Sequence, residues 1–188
     1  TDDVSMFTKL TSEFKAYTYF YQTTSRKKAY RFDINETIFD NFYLDVKNLV
    51  GLPVDMRLGR QDFLGTYGEG FLIMDGTPLD GSRTFYFNAA KFSWRANKKN
   101  TVDFVYINDP QDDTILPTIN QDKSPQALNI TNEEAYIAYW KNKNFKNLSL
   151  EPYFIHKREG ADGGTRLQSQ SSRINTPGVL AKYNLNPF

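Results

Sequence analysis

Asn41-Phe42-Tyr43-Leu44-Asp45-Val46-Lys47-Asn48-Leu49-Val50-Gly51-Leu52-Pro53-Val54-Asp55-Met56-Arg57-Leu58 is the stretch on which the fold turns. Phe42, Leu44 and Val46 alternate with Asn41, Asp45 and Lys47. After the tight turn at Gly51-Leu52-Pro53, Val54, Met56 and Leu58 share one side, and Asp55, Arg57 and Gln61 the other. A period of two is the signature of extended strands, here with one apolar and one charged face. Two such strands across a short turn make an antiparallel hairpin. Hydrocarbon on one flank and a wet lumen on the other ask for this division.

Outward from this hairpin the same reading yields eight strands: 12–22, 30–48, 54–63, 83–94, 101–109, 132–141, 148–158 and 178–186. The second either overshoots a bilayer or breaks near Thr37. In 83–94 both faces carry aromatics, so its faces stay unassigned, and Ala89-Ala90 is the place for a bulge that switches them. Residues 132–141, with Glu133, Glu134 and several alanines, could be helical, but their partner 148–158 and the β-rich context favour strand. Pro152 lacks a ladder donor and predicts a bulge or irregularity.

The connections alternate in length. Val50–Pro53, Arg95–Asn100 and Asn142–Asn147 are short, whereas Leu64–Ser82, Pro110–Thr131 and Gly160–Pro177 are long and polar. An up-and-down sheet across a bilayer has tight turns on one side and longer loops on the other. The expectation is therefore an all-β, antiparallel, up-and-down transmembrane β-barrel, with 1–188 as one barrel domain or barrel segment.

Composition narrows the function classes. The 188 residues include 15% aromatics, with 12 Tyr and 15 Phe, and the 23 basic and 22 acidic residues leave a net charge of +1. No basic stripe interleaved with aromatics advertises nucleic acid. Cysteine is absent, which excludes thiolate metal sites, disulfides and cysteine nucleophiles. No apolar run is long enough for a membrane helix, which says nothing against barrel strands. The N-terminus shows no leader pattern, so the expectation is a leader already removed or a start inside a longer protein.

Catalysis has little to stand on. His156 is the single histidine, flanked by Ile155 and Lys157 in a strand, and no Gly-x-Ser-x-Gly elbow exists. It reads as a lumen-facing or interfacial residue. Asp112-Asp113 in a long polar loop reads as solvated, and Gly65-Thr66-Tyr67-Gly68-Glu69-Gly70 lacks the Gly-Lys-Ser/Thr of a phosphate cradle. No catalytic residue, metal site or cofactor is expected. Arg57 points to the lumen if Val54, Met56 and Leu58 face lipid. Arg60 falls on the nominal lipid side, where a midplane arginine costs about 2–4 kcal/mol, so it should lie near the rim or be turned inward by a bulge at Gly59. Lumen arginines either favour anions or brace the wall against acids such as Asp55, Asp62 or Asp80.

Met56-Arg57-Leu58-Gly59-Arg60-Gln61-Asp62-Phe63, a loop holding Tyr67-Gly68 and Asp75-Gly76, and then Asp80-Gly81-Ser82-Arg83 together resemble the alginate-export family of outer-membrane barrels. The specific part covers about thirty residues. The resemblance implies a monomeric outer-membrane porin of a Gram-negative bacterium that passes a polyanionic polysaccharide through an arginine-lined conduit. On matching positions Arg57, Arg60 and Arg83 are then the pore-lining, anion-selecting candidates. Near-neutral charge and short length depart from that family. Eight strands alone close around an interior that side chains fill, so the chain reads as a segment of a larger barrel of about 18 strands. The expected partners are membrane lipid and an anionic or polar solute. The alternatives are a small intact eight-stranded structural or adhesive barrel, and a soluble carbohydrate-binding β-sandwich.

Overall fold

The computed structural model describes residues 3–21, 28–70, 72–73, 86–111, 113–117, 119, 132–161 and 170–185, with backbone alone at 13, 15–21 and 28–36. Eight strands follow in chain order: β1 (Val4–Tyr21), β2 (Lys28–Val46), β3 (Val54–Gln61), β4 (Phe87–Asn97), β5 (Asn100–Asp109), β6 (Glu133–Phe145), β7 (Leu148–Glu159) and β8 (Ser172–Tyr183). They form one open antiparallel sheet in which each strand pairs with its neighbour in sequence. No second sheet is present among the described residues.

Short turns sit at one end because local chemistry closes them there. Asn48 and Asn147 take left-handed conformations at φ 50° and 60°, which asparagine tolerates better than most residues. The Asn97 side chain accepts from the Lys99 amide at 2.9 Å and fixes the β4–β5 turn. The other end carries the connections 62–86, 110–132 and 160–171.

Cross-strand register sorts the two faces. One row runs Leu44, Leu58, Ala90, Tyr106, Tyr136, His156, Asn175, and the next runs Val46, Met56, Phe92, Phe104, Ala138, Phe154, Pro177. Trp94, Val102 and Trp140 follow toward the short turns. This apolar face lies open: Leu58, Phe104 and Phe154 are each about half exposed. It ends at Asn100 on one side and Asn108 on the other, roughly 27 Å apart along β5 at about 3.4 Å per residue. That is close to the roughly 25 Å band of a membrane barrel.

The opposite face carries Asp45, Arg57, Lys91, Asp103, Lys141, Glu151 and Lys182, but it is not wet throughout. Phe63, Tyr67, Leu72 and Ile73 from the β3–β4 connection lie on Phe87, Ala89, Val105, Ile107, Ala135, Ile137 and Ile155. The expectation of a wet lumen is corrected here in part: toward the long-loop end this face holds the buried apolar core. Tyr139 is fully buried beneath it and stacks on Tyr153 at 5.9 Å. Gly178 faces Tyr153, and a Cβ there would meet that ring at 2.4 Å.

Several expected details move. β2 is continuous through Thr37, its length absorbed by register shifts opposite Lys9/Leu10 and Glu13/Phe14. β1 starts at Val4 and β8 at Ser172, earlier than read. No bulge occurs at Ala89-Ala90, where pairing with β3 and β5 runs on unbroken. Residues 133–145 are strand. Pro152 costs rungs without shifting register, since pairing passes from Tyr139–Tyr153 to Asn142–Leu150; the shift lies in the turn, between Asn142 and Phe145.

Candidate functional site

The charged face concentrates its polar chemistry in a stripe from β2 to β8. Arg57 grips Asp45 with two donors, Nε to Oδ1 at 2.7 Å and Nη2 to Oδ2 at 2.9 Å, and its guanidinium lies 4.0 Å over the Tyr43 ring. Planar bidentate pairing of this kind fixes the arginine as well as neutralising it. Lys91 stands directly across from Arg57 on β4. Like charges in register repel, so this pairing needs acids beside it. Asp103 supplies one: Lys91 and Lys141 approach its Oδ2 at 3.8 and 3.7 Å. Nearer the turns Arg95 pairs with Asp55 and donates to Asn48 Oδ1 at 2.6 Å.

The β3–β4 connection reaches down onto this stripe. Its Tyr67 ring sits 5.5 Å from the Lys91 ammonium and 5.3 Å from that of Lys141. Burial, and after it the Asp103 charge, push the Tyr67 phenol far above its ordinary pKa, so it stays neutral. The Gly68 amide donates to the Tyr139 hydroxyl at 3.2 Å, and Tyr139 donates to Glu151. Glu69 meets Lys182 of β8 at 2.9 Å, and Lys182 also lies 3.7 Å from Glu151. The tip at 67–69 therefore spans from β3 to β8 across the face. Arg57, Lys91, Lys141 and Lys182 are answered by Asp45, Asp103, Glu69 and Glu151, a mixed rather than a purely cationic lining.

The three arginines singled out in the sequence part company. Arg57 lies on the charged face, opposite Met56 and Leu58. Arg60 does not join it: no bulge forms at Gly59, and the register Leu58–Ala90, Gly59–Ala89, Arg60–Asn88 keeps Arg60 on the apolar side. It is instead roofed over. Arg60 donates to Asp113 Oδ2 at 2.6 Å, Asn88 Oδ1 at 3.2 Å and the Phe39 carbonyl at 2.9 Å, and covers the Tyr86 ring at 3.9 Å. Arg83 lies outside the described residues, as do Asp112 and the loop elements Asp75-Gly76 and Asp80-Gly81-Ser82.

Asp113 itself is not solvated, contrary to the reading of the Asp112-Asp113 pair. Its carboxylate has no exposed surface and also accepts from Tyr86 at 2.9 Å and Asn88 at 2.7 Å. Burial pushes the Tyr86 phenol up, against the pull of Arg60. Of the acids proposed as arginine braces, Asp55 takes Arg95 and Asp62 accepts from Asn41 at 3.1 Å, while Asp80 lies outside the described residues. His156 sits on the apolar-face row beside Tyr136 and shares a 2.7 Å hydrogen bond with Asn175. Among the described residues no three acidic or imidazole side chains converge to hold a metal. Lys91, Asp103, Lys141 and Lys182 were not singled out from sequence; their signal was the odd-numbered, even-numbered alternation, hidden in β4 by aromatics on both sides.

Protein families, curated proteins and solved structures were all compared with the chain, and none matches it.

Proposed function

We propose that this chain forms part of the wall of a transmembrane β-barrel that passes anionic or polar solutes across a bacterial outer membrane. One observation carries the reading: an up-and-down sheet with a broad open apolar face backed by a stripe of paired charges. A soluble protein seldom leaves so large an apolar surface bare. Trp94 and Trp140 toward the short turns, with Tyr106 and Tyr136 toward the long loops, stand where barrels place aromatic girdles. β1 and β8 each keep one edge without a described partner strand, which favours a larger barrel over closure of these eight. The resemblance of Met56–Phe63 and its neighbours to the alginate-export family makes a polyanionic polysaccharide the leading solute, and a monomeric porin the leading assembly. In this reading no residue turns over substrate and no cofactor is needed. The stripe sets preference, and the tip at 67–69 narrows the path above it.

Planar-bilayer recording of the full-length protein tests the proposal. Stepwise conductance with anion preference is expected, and Arg57→Gln with Arg83→Gln should shift the reversal potential in a salt gradient toward zero. An unchanged potential removes these arginines from selectivity. The inward packing of Phe63, Tyr67, Leu72 and Ile73 favours a second reading, a filled structural barrel. That reading predicts membrane insertion and heat-resistant mobility without conductance.

A further inference from the structure

On the apolar face, the row above Leu44–Leu58–Ala90–Tyr106 starts with Phe42 on β2 and is polar from β3 onward: Arg60, Asn88, Asn108, Glu134, Arg158 and Arg173. Within this one row the residues are treated differently. Arg158 and Arg173 stand exposed, whereas Arg60 is enclosed by Asp113, Tyr86 and Asn88. The surroundings explain the difference. On the β1–β2 side the apolar surface climbs past this row through Phe39, Leu10 and Phe14, with Leu10 and Phe14 more than half exposed. An arginine there sits inside the apolar band, while Arg158 and Arg173 sit at its margin.

The covering strip is built for that level. From the end of β5 the chain crosses β4 and β3 on their apolar side. It then pairs with the edge of β2 beyond the end of β3, the Ile119 amide donating to Thr37 O at 2.8 Å and the Thr37 amide to Ile119 O at 3.3 Å. It turns Asp113 inward onto Arg60 and leaves Ile115 and Ile119 facing out, 59% and 49% exposed. Leu116 and Ile115 border an apolar recess with Phe42, Leu58, Ala90 and Tyr106. In water, turning isoleucines outward over a sequestered charge pair forgoes the burial of their apolar area. In a leaflet both features lower the free energy, since an unpaired arginine is costly there and apolar side chains are not.

We propose that residues 113–117 and 119 form a membrane-interface strip. The strip raises the lipid-facing surface on the β1–β3 side, with Ile115 and Ile119 among the lipid chains just below the headgroups and a chain lying in the recess. The occupant is bilayer lipid, chosen for continuity with the apolar band and for the sequestered charge. This rests on the membrane reading above.

Tryptophan fluorescence of the full-length protein in vesicles separates the two. Ile115→Trp is made with Trp94→Phe and Trp140→Phe, and any tryptophan outside this chain is likewise replaced by Phe. Lipids carry bromine either near the glycerol end or near the chain terminus. Trp94 alone, with Trp140→Phe, reports the band itself. The expected result is a blue-shifted emission from position 115, quenched more by the shallow bromine than by the deep one. Ile119→Trp, at another exposed position, should behave alike. Quenching of Trp94 without quenching at 115 or 119, and with aqueous iodide reaching them, overturns the strip and leaves the barrel standing. No bromine quenching at any site overturns both. An emission shift at 115 that depends on protein density assigns the strip to a second copy and overturns lipid as its occupant.

Discussion

Arg57 and Arg60 belong to one short strand, and their surroundings could hardly differ more. The Arg57 side chain is 34% exposed, paired to one acid and stacked on one tyrosine. That of Arg60 is 1% exposed, with donors satisfied from β2, β4 and the β5–β6 connection. The comparison separates charge that works from charge that is stored. A half-open pair can exchange partners with solvent ions, and its loss costs little. A buried pair cannot, and removing one partner strands the other in a medium that does not solvate it.

The largest effect should come from stranding Arg60. Asp113→Ala is expected to cost about 3–5 kcal/mol in denaturant unfolding from detergent. Replacing both members, Arg60→Leu with Asp113→Leu, should recover most of that loss; equal losses for the single and double variants would break the contrast. Next comes Gly59, the residue just before Arg60. Gly59 holds φ at 128°, and a Cβ would lie 2.4 Å from the Phe42 carbonyl oxygen, so Gly59→Ala should cost about 1–3 kcal/mol through strain and separation of β2 from β3. Arg57→Gln should cost no more than about 1 kcal/mol by the same measurement. Its signature belongs in the reversal potential. A stability loss equal to that of Asp113→Ala would show that Arg57 is structural after all. The smallest effect is expected at the loop tip. Glu69→Gln leaves Lys182 to Glu151 alone and should leave unfolding unchanged while the amides of residues 66–70 exchange faster with solvent.

What the sequence could disclose follows from the range of its rules. Alternation of Phe42, Leu44 and Val46 with Asp45 and Lys47 reports which side of a strand is apolar, and that sufficed for eight strands, their order and the sorting of turns. It cannot report what a distant segment lays over a strand. Near the start of β4 both sides are aromatic because Phe87 stacks under Phe63 at 5.4 Å while Tyr86 lies beneath Arg60. Periodicity is lost there for a tertiary reason. The same limit hid the partner of Arg60, since Asp113 lies in a connection with no strand pattern. Arg57 was placed correctly on its strand side, but its acid was not found among Asp55, Asp62 and Asp80. Asp45 required the β2–β3 register, in which it sits directly opposite Arg57.

Pairing between sequence neighbours also bears on how such a chain assembles. Each hairpin closes over a modest span, so the chain-entropy cost of every added strand is small, and the sheet can grow like a zip fastener. Asp113 on Arg60, Ile119 on Thr37 and Glu69 on Lys182 skip over intervening strands and can engage only once those are in place. They act as clasps on a finished garment, holding a row of locally stitched hairpins to one shape.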